Sequence, residues 1–376
     1  MSMRLAVIVT AALLVLAGRV RTATGQMLPP SPGTIVARDI GATMERLAEG
    51  VYAIIHERAT PDWPHGNTGV IVGEDAVLVV DSDYFPSRAA ADIALIRQVT
   101  DVPIRYLVNT HWHGDHTHGN GVYRDSFPGL AILGAERTAT FFELNQARLP
   151  RRILKPGSHA RQSIARDEGL LSRGRDSTGR VLSSEERADL MRAVSERRQE
   201  LAEMQAVQVA PPTHLFDGSL VVDLGRRRVE IRDMGPGNSP ADLVIYVPSA
   251  RVLFAGDLLV YPVPYTTEVF PDSWLRILKE LETYRVAALV PGHGPVMSDH
   301  RFTRNVREAF EMTRHQLDSL LRLGYTMAEA ADSVNLMSLR HKFWVPAGRP
   351  VLEPFWRDWV RNLASQFAPC VMGYHC

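Results

Sequence analysis

The sequence predicts an α/β fold in which sheets and helices are stacked in layers. Strand-like runs rich in Val, Ile and Leu occur in both halves of the chain, and helical patterns follow them in each half. This mixture is typical of layered α/β domains, because every sheet and every amphipathic helix must bury an apolar face against another element. The composition agrees, since 45% apolar and 22% charged residues is a usual balance for a globular protein.

The first half of the chain is predicted to be mainly sheet. Runs of apolar and β-branched residues bounded by turn residues predict strands, and Gly73-Glu74-Asp75 marks the turn of a hairpin. The predicted strands are Val51–His56, Gly69–Val72, Ala76–Asp81, Ile104–Asn109 and Ala131–Leu133, and the predicted helices are Ser87–Val99 and a segment that runs through Phe141 and Leu144.

Residues 150–206 are predicted to form a helical insertion. This segment is rich in Arg, Glu, Ser and Ala and has few large apolar residues in its first half. Ser183 or Ser184, followed by Glu186, has the pattern of a helix N-cap and predicts a helix over Arg187–Met204. We expect the insertion to lie over or beside the main core.

The second half returns to strands and ends in helices. Its predicted strands are Leu220–Leu224, Val229–Met234, Leu243–Val247, Val252–Ala255 and Ala288–Val290, and its predicted helices are Ser273–Tyr284, Phe302–Leu323, Met327–Val334 and Leu352–Phe367. We therefore expect a main domain over residues 45–300 and a helical C-terminal extension over residues 301–376.

The N-terminal residues predict export. Residues 5–17 are apolar apart from Thr10, which fits the core of a signal peptide and is too short to span a bilayer. We expect a signal peptide over residues 1–25, followed by a linker or arm over residues 26–44, and a periplasmic or secreted protein. An uncleaved membrane anchor is the alternative interpretation.

The charge balance gives no support for a nucleic-acid or anionic-membrane partner. The chain has 42 Lys and Arg against 42 Asp and Glu, so its formal net charge is zero. We expect a small-molecule substrate, no nucleic acid and no stable membrane span after signal removal, while the sequence leaves the oligomeric state open. The two cysteines, Cys370 and Cys376, either close a disulfide or stay free thiols.

Four potential metal ligands follow the predicted strand Ile104–Asn109 within six positions: His111, His113, Asp115 and His116. Imidazole and carboxylate are ligands that divalent zinc prefers. Packing in the core explains a single buried histidine, but it does not explain four such side chains together. The sequence therefore predicts a site for one or two transition-metal ions, with zinc as the expected metal.

Three later segments complete a wider pattern: Gly235–Asp242, which reads GPGNSPAD, then Phe254–Asp257 and Val290–Pro295. Together with His-x-His-x-Asp-His at residues 111–116, they resemble the metallo-β-lactamase superfamily over roughly residues 50–295. The resemblance implies a four-layer αββα sandwich with metals at the loop end of two facing sheets. This chain adds the helical insertion and the helical C-terminal extension.

The resemblance implies ligands for two metal sites that share one aspartate. The first site takes two histidines, the second takes an aspartate and two histidines, and a further aspartate bridges the two ions. In that order these residues are His111 and His113; Asp115, His116 and His293; and Asp257.

One ligand departs from the family pattern. The third histidine expected in the first site is replaced by Asn238, and an amide oxygen is a weak ligand for zinc. We therefore expect unequal sites, with the second filled tightly and the first filled weakly. Asn238 either coordinates, holds a water molecule, or contacts the substrate.

The expected activity is hydrolysis. A bound metal lowers the pKa of its water to about 7, and the resulting hydroxide attacks a carbonyl or phosphoryl centre. Asp115 and Asp257 are the candidate catalytic residues, since either carboxylate can orient the attacking water. The resemblance implies an ester, thioester, lactone, lactam or phosphoester substrate.

Three other functions stay open. True β-lactamases of the family usually carry Cys or Ser where Asp257 stands here, so β-lactamase activity is the secondary hypothesis. A non-catalytic periplasmic metal-binding accessory protein is the second alternative, motivated by the missing histidine at Asn238. An iron-dependent redox enzyme ranks last, because such sites depend on the two-histidine site that is altered in this chain.

Further side chains near the predicted site have two interpretations each. Aromatic residues either line a substrate pocket or pack the loops; they are Trp63, Trp112, Tyr261, Tyr265 and Trp274. His118 either supports the ligands or packs in the core. His65 lies in a loop that flanks the site, and we do not expect it to be a ligand.

Overall fold

The computed structural model describes residues 33–37, 41–56, 65–143, 148, 153–345 and 349–367. The predicted signal peptide, residues 1–25, and the two cysteines, Cys370 and Cys376, lie outside the described residues. Export therefore stays a prediction, and the two interpretations of the cysteines, a disulfide or free thiols, both stay open.

The first sheet has eight strands among the described residues, and their order in the sheet is their order in the chain. They are β1 (Ile35–Ala37), β2 (Ala42–Ala48), β3 (Val51–His56), β4 (Thr68–Val72), β5 (Val77–Val80), β6 (Ile104–Val108), β7 (Ala131–Ala135) and β8 (His214–Phe216). Strands β1 to β5 pair antiparallel, whereas β5 to β8 run parallel. Parallel pairs need crossover connections, and helices α1 (Pro86–Ile96) and α3 (Asn120–Ser126) lie in two of them.

The second sheet has five strands in the described part of the chain, in the order β13-β12-β11-β10-β9. They are β9 (Ser219–Asp223), β10 (Arg228–Asp233), β11 (Leu243–Val247), β12 (Val252–Phe254) and β13 (Ala288–Val290). Only β12 and β13 pair in parallel among them, and α7 (Pro271–Leu281) lies in their crossover.

The two sheets face each other across a shared apolar core. Val51 and Ala53 of β3 and Val229 and Ile231 of β10 are completely buried in the same cluster. Since alternate residues of a strand point to opposite faces of the sheet, this spacing places one face of each sheet in the core.

The outer faces of both sheets carry helices. Ile54, on the other face of β3, packs in a cluster with Ile96 of α1. Val244 of β11 packs with Trp274 of α7 and with residues of α8 (Arg301–Arg322). The layers are therefore helix, sheet, sheet, helix, which confirms the predicted αββα sandwich. Both sheets are covered on two sides, and this explains why their central strands read as nearly continuous apolar runs.

The insertion contains two helices, α5 (His159–Arg173) and α6 (Ser184–Ala206). Helix α6 begins with the predicted N-cap: the Glu186 amide donates to Ser183 Oγ at 3.1 Å, and the Ser183 amide donates to Glu186 Oε2 at 2.7 Å. Reciprocal bonds of this kind satisfy two amides that the first helical turn leaves unpaired. Met204 of α6 packs against Tyr84 and Phe85, in the segment that follows β5.

The C-terminal extension packs onto the second sheet's helical layer. It contains α8, α9 (Met327–Ser333) and α10 (Glu353–Gln366), with a small hairpin of β14 (Trp344–Val345) and β15 (Arg349–Pro350). Trp359 Nε1 of α10 donates to the Pro264 carbonyl at 2.8 Å. None of the described helices combines the length and the apolar character needed to cross a bilayer.

The described residues add detail to the predicted elements. Residues 26–44, expected to form a linker or arm, include β1 and the start of β2, where Ala42 and Met44 are buried as β2 pairs with β3. Helix α4 (Ala139–Phe141) lies in the predicted helix through Phe141, while Leu144 lies outside the described residues. Short α2 (Gly114–Thr117) and β8 have no clear periodic signal in the sequence, and β8 is defined by its pairing with β7.

Phe310 of α8 packs between the main domain and the end of the C-terminal extension, so its removal tests how strongly the two are packed together. This fully buried ring lies 5.1 Å from the ring of Trp274 and 6.3 Å from that of Phe367, between centroids. We expect Phe310→Ala to lower the free energy of unfolding by about 3 to 5 kcal/mol in urea titrations. The control Phe355→Ala removes a ring that is 51% exposed, so a change within about 0.5 kcal/mol is expected. Equal losses for the two variants would contradict this packing.

Candidate metal centre

The predicted histidine cluster lies at the carboxyl end of β6. The strand ends at Val108, and α2 begins directly after His113. Thr117, the last residue of α2, donates from Oγ1 to the His113 carbonyl at 2.8 Å and so closes the single turn of this helix. His111 and His113 therefore lie in the short connection after the strand, whereas Asp115 and His116 lie in α2.

Asp81, directly after β5, fixes this turn. Its Oδ1 accepts from the Thr110 amide at 2.7 Å, and its Oδ2 accepts from Thr110 Oγ1 at 2.8 Å. The same Oδ2 lies 2.8 Å from Nδ1 of His116. A carboxylate there holds the proton on Nδ1, which leaves Nε2 of His116 as the nitrogen that can bind an ion.

The first group of potential ligands contains His111, His113 and Asp257. Nε2 of His111 lies 2.9 Å from Nδ1 of His113 and 3.7 Å from Oδ2 of Asp257. One donor atom from each residue lies within 4.8 Å of the others. Two imidazole nitrogens and a carboxylate oxygen thus converge on one point.

The second group contains Asp115, His116, Asp257 and His293. Nε2 of His293 lies 3.0 Å from Oδ2 of Asp115 and 3.4 Å from Oδ1 of Asp257. Nε2 of His116 lies 3.2 Å from the same Asp257 oxygen. This group therefore gathers two nitrogens and two carboxylates around a second point.

Asp257 belongs to both groups, and its two oxygens are divided between them. Oδ2 faces His111, whereas Oδ1 faces His116 and His293. The arrangement can hold two ions that share one carboxylate. The structure brings together the predicted ligands other than Asn238, and their binding of metal stays a proposal.

Two glycines leave room for the ligands. A Cβ atom at Gly292 would lie 2.0 Å from Oδ1 of Asp257, and one at Gly66 would lie 2.7 Å from the His116 ring. Asn67 Nδ2 donates to the carbonyls of Pro291 at 2.9 Å and of Gly294 at 2.8 Å, so it holds the loop that carries His293. Gly292 and Gly66 therefore accept no side chain unless Asp257 or His116 moves.

Both candidate catalytic carboxylates are ionised in the folded chain. Burial alone would raise the pKa of Asp115, but His116 and His293 outweigh it and hold that pKa below its ordinary value. Burial also opposes ionisation of Asp257, yet His293 and His116 lower its pKa to about 2. The carboxylates are thus in the state that a cation needs.

The pKa values of His111 and His116 are shifted in opposite directions. Burial, with the charges of His116 and His113, holds the pKa of His111 well below its ordinary value. Burial alone would also lower the pKa of His116, but Asp257 and Asp81 raise it well above its ordinary value. A metal ion bound at the second group would therefore have to displace the proton of His116.

Asn238 is buried in the loop between β10 and β11. Its Nδ2 donates to the Tyr265 carbonyl at 3.2 Å, and the Tyr265 ring lies 6.4 Å from the His113 ring. Its Oδ1 has no hydrogen-bond partner among the described residues. The prediction that Asn238 makes the first site weaker stays a prediction.

Other predicted residues are placed outside the two ligand groups. The ring of His118 stacks on Tyr84 at 4.9 Å and is 1% exposed, so its described contacts are those of a core residue. Trp274 is completely buried in the outer helical layer, and Tyr261 packs against Phe302 at 5.5 Å. Trp63 lies outside the described residues.

An aromatic rim lies beside the first ligand group. We use this name for Trp112, Phe141 and Tyr265. Trp112 lies 4.7 Å from the His113 ring and 5.8 Å from that of Phe141. Phe141 is 37% exposed and Tyr265 is 53% exposed. The pocket interpretation therefore fits Trp112 and Tyr265, and Phe141 joins them although no site role was predicted for it.

Sequence reasoning missed Asp81 as a functional residue. The available signal was an acidic side chain at the carboxyl end of a strand predicted to be apolar. Because β5 and β6 pair in parallel, their carboxyl ends meet at one edge. Recognising Asp81 required this pairing, which local patterns do not reveal.

The sequence from residue 61 to residue 293 matches the family model of the metallo-beta-lactamase superfamily. A linear primary-alkylsulfatase from Pseudomonas sp. (strain ATCC 19151) is 23% identical over 319 residues, and the match covers 81% of this chain and 55% of that protein. The chain thus spans about half the length of this relative.

Solved structures with a similar fold include a metallo-beta-lactamase from Pontibacter korlensis. It has a TM-score of 0.51 and 15% identity, and the match covers 72% of this chain and 99% of that one. DIM-1 metallo-beta-lactamase matches with a TM-score of 0.49 and 14% identity over 72% of this chain and 97% of that one. At 15% identity the first likeness establishes the fold and nothing further.

Asp81→Asn tests the support of His116. In the variant, the new side-chain amide accepts through its oxygen from the Thr110 amide, and its NH₂ group then faces Nδ1 of His116. Because both groups cannot donate to each other, the ring proton of His116 moves from Nδ1 to Nε2. Loss of such a supporting carboxylate typically weakens metal binding by about 10- to 100-fold. We expect that loss in competitive zinc titrations against a chromogenic chelator. The control Asp101→Asn changes an exposed aspartate and should leave the affinity unchanged; unaltered affinity in both variants would contradict the role of Asp81.

Proposed function

The chain belongs to the metallo-beta-lactamase superfamily, and on that basis we propose that it is a metal-dependent hydrolase of sulfate esters or related ester-type bonds. The observation that carries the proposal is the division of the Asp257 carboxylate between two groups of potential ligands. A binding protein needs one closed site, whereas paired sites that share a carboxylate suit displacement chemistry at an ester.

The side chains fit zinc by their chemistry. Every donor is an imidazole nitrogen or a carboxylate oxygen, which are ligands that zinc takes in proteins. The second group offers two carboxylates, so we propose that it fills first and that the group beside Asn238 fills second. When bound, the ion supplies Lewis-acid polarisation of the substrate and lowers the pKa of water.

Asp115 is the residue that we propose to orient the attacking water. Its side chain is 12% exposed, so water can reach it, and its Oδ2 already accepts from Nε2 of His293 at 3.0 Å. The low pKa of this carboxyl keeps it ionised at neutral pH. Asp115 can therefore orient a water molecule by accepting its hydrogen, while Asp81 keeps His116 in place.

The aromatic rim supports a substrate with an apolar part. Exposed rings beside a charged site favour a ligand whose polar head enters the site while its chain lies on the rings. A primary alkyl sulfate has this shape, and the alkylsulfatase relative supports the same class. We therefore propose sulfate esters ahead of the carboxylic esters, thioesters, lactones, lactams and phosphoesters.

Export to the periplasm or the medium remains part of the proposal. It rests on the apolar run of residues 5–17 alone. Fractionation of a tagged chain checks it, and retention in the cytoplasm would overturn it without affecting the proposed hydrolysis.

Asp115→Ala tests the proposed chemistry. Removing this carboxylate takes away both a candidate ligand and the group that orients the attacking water, so we expect hydrolysis of a primary alkyl sulfate to fall by more than about 100-fold. Sulfate release is the measurement. Asp101→Ala is the matched control at an exposed position and should keep full activity.

The substrate panel for this test separates the competing functions. Beside an alkyl sulfate it contains a chromogenic carboxylic ester, a phosphoester and a chromogenic β-lactam. Turnover of the β-lactam alone would replace the proposal with β-lactamase activity. No turnover of any substrate by the zinc-loaded chain would favour a metal-binding accessory protein, and an iron absorption spectrum would favour the redox alternative.

Asn238→His tests the unequal filling of the two groups. An imidazole nitrogen is a better zinc ligand than an amide oxygen, so after loading with excess zinc and removal of free and weakly bound metal we expect the zinc content by elemental analysis to rise by about one per chain. Asn335→His, which changes a residue in the C-terminal extension, is the control and should leave the count unchanged. An unchanged count for Asn238→His as well would contradict the alignment of this loop with the first group.

A further inference from the structure

We propose that the chain holds an additional divalent metal ion between His56, Asp83 and Asp92, as a structural site beneath the candidate metal centre. Among the described residues, three groups of His and Asp can gather around an ion, and this one shares no residue with the two groups that contain Asp257. The proposal does not depend on the proposed hydrolase function.

The three side chains come from different elements of the first sheet and its helical layer. His56 is the last residue of β3, Asp83 follows β5, and Asp92 lies within α1. Nε2 of His56 lies 3.2 Å from Oδ2 of Asp83 and 3.3 Å from Oδ2 of Asp92. Donor atoms bound at about 2.0 to 2.2 Å around a tetrahedral ion lie about 3.3 to 3.6 Å apart, so the observed spacing fits one ion.

A single proton does not satisfy this cluster. Nε2 of His56 carries at most one hydrogen, and it faces two carboxylates at nearly equal distances. Oδ2 of Asp83, which faces His56, is buried and has no hydrogen-bond partner among the described residues; the same holds for Oδ1 of Asp92, whose other oxygen faces His56. Buried polar atoms normally have partners, and a cation placed between the three side chains supplies one for Oδ2 of Asp83.

The charges of the cluster are compatible with a divalent ion. The side chains of His56, Asp83 and Asp92 are completely buried. A divalent ion with a neutral imidazole neutralises both carboxylates where they meet, whereas a protonated imidazole leaves one negative charge among these three groups. Arg88 is the further cation that acts on His56, but its buried Nη1 atom has no hydrogen-bond partner in the described part of the chain and so does not pair with either carboxylate.

Neighbouring groups hold the carboxylates of Asp83 and Asp92 in place through hydrogen bonds, as supporting residues do around protein-bound metals. Nδ1 of His65 lies 2.7 Å from Oδ1 of Asp83, and the Tyr84 amide donates to the same oxygen. Thr68 Oγ1 donates to Asp92 at 2.7 Å. Supporting contacts of this type fix ligands in place, and they leave Oδ2 of Asp83 directed at His56.

The ion expected here is zinc or a similar divalent transition metal. One imidazole with two carboxylates is a mixed nitrogen and oxygen set, which suits zinc and manganese better than the soft thiolate-seeking metals. Its position suggests its role. Asp83 lies two residues after Asp81, which holds His116, so an ion that ties Asp83 to β3 and α1 stabilises the base of the candidate metal centre.

Elemental analysis of a background variant separates this site from the candidate metal centre. The background variant is the full chain with His111→Ala, Asp257→Ala and His293→Ala, which removes ligands from both groups that contain Asp257. After equilibration with zinc chloride and removal of free metal, we expect about one zinc per chain. Adding His56→Gln should reduce the count to about zero, whereas adding His300→Gln, at another buried histidine, should leave it at one.

The outcomes are decisive in both directions. A background variant without zinc, under conditions that load the unaltered chain, overturns the proposal and leaves a protonated His56 between the two aspartates. That state is the competitor, because the carboxylates outweigh burial and raise the pKa of His56 to about 9. A count that survives His56→Gln also overturns it.

Anomalous diffraction from crystals of the unaltered chain avoids the variants altogether. Data collected on either side of the zinc absorption edge should give a peak between His56, Asp83 and Asp92, apart from any peak at Asp257. This measurement decides the matter if the His56→Gln protein does not fold. Peaks at Asp257 with none at this cluster overturn the proposal.

Discussion

The apolar contact between the two sheets is the constraint on which the candidate metal centre depends. It aligns the carboxyl end of β6 with the ends of β12 and β13, because residues from all three strands are buried in one cluster. The Leu243 amide donates to the Thr110 carbonyl at 2.7 Å, which joins the two sheets next to the histidines. A shift of one sheet against the other would therefore separate His111 from Asp257 and split both ligand groups.

The polar side of this junction consists of charges that burial alone would disfavour. Asp115 and Asp257 remain ionised because histidines surround them, and His116 keeps its orientation because Asp81 lies behind it. Buried polar networks of this kind hold one arrangement strongly, since each unpaired member is costly. Unpaired members also occur at Asp83 and Asp92, because each of these carboxylates has one buried oxygen without a hydrogen-bond partner among the described residues.

The insertion and the C-terminal extension contact opposite sides of the sandwich. Met204 of the insertion packs on Tyr84 and Phe85, close in sequence to Asp81 and Asp83. Trp359 of the extension donates to the Pro264 carbonyl, next to Tyr265 of the aromatic rim. The insertion and the C-terminal extension therefore each contact a loop that borders the candidate site. Loss of either contact is expected to loosen the loop that it holds.

The sequence by itself determined the layered fold, the position of most strands and helices, and the candidate ligands in the histidine cluster. These features have local signals: apolar periodicity, the N-cap at Ser183, and closely spaced imidazoles after a strand. The family resemblance also implied that Asp257 is shared between two sites. Only the tertiary structure decided the roles of Asp81 and of the cluster at His56, and which oxygen of Asp257 faces each group. Those features depend on which strand ends become neighbours, and long-range pairing leaves little trace in short stretches of sequence.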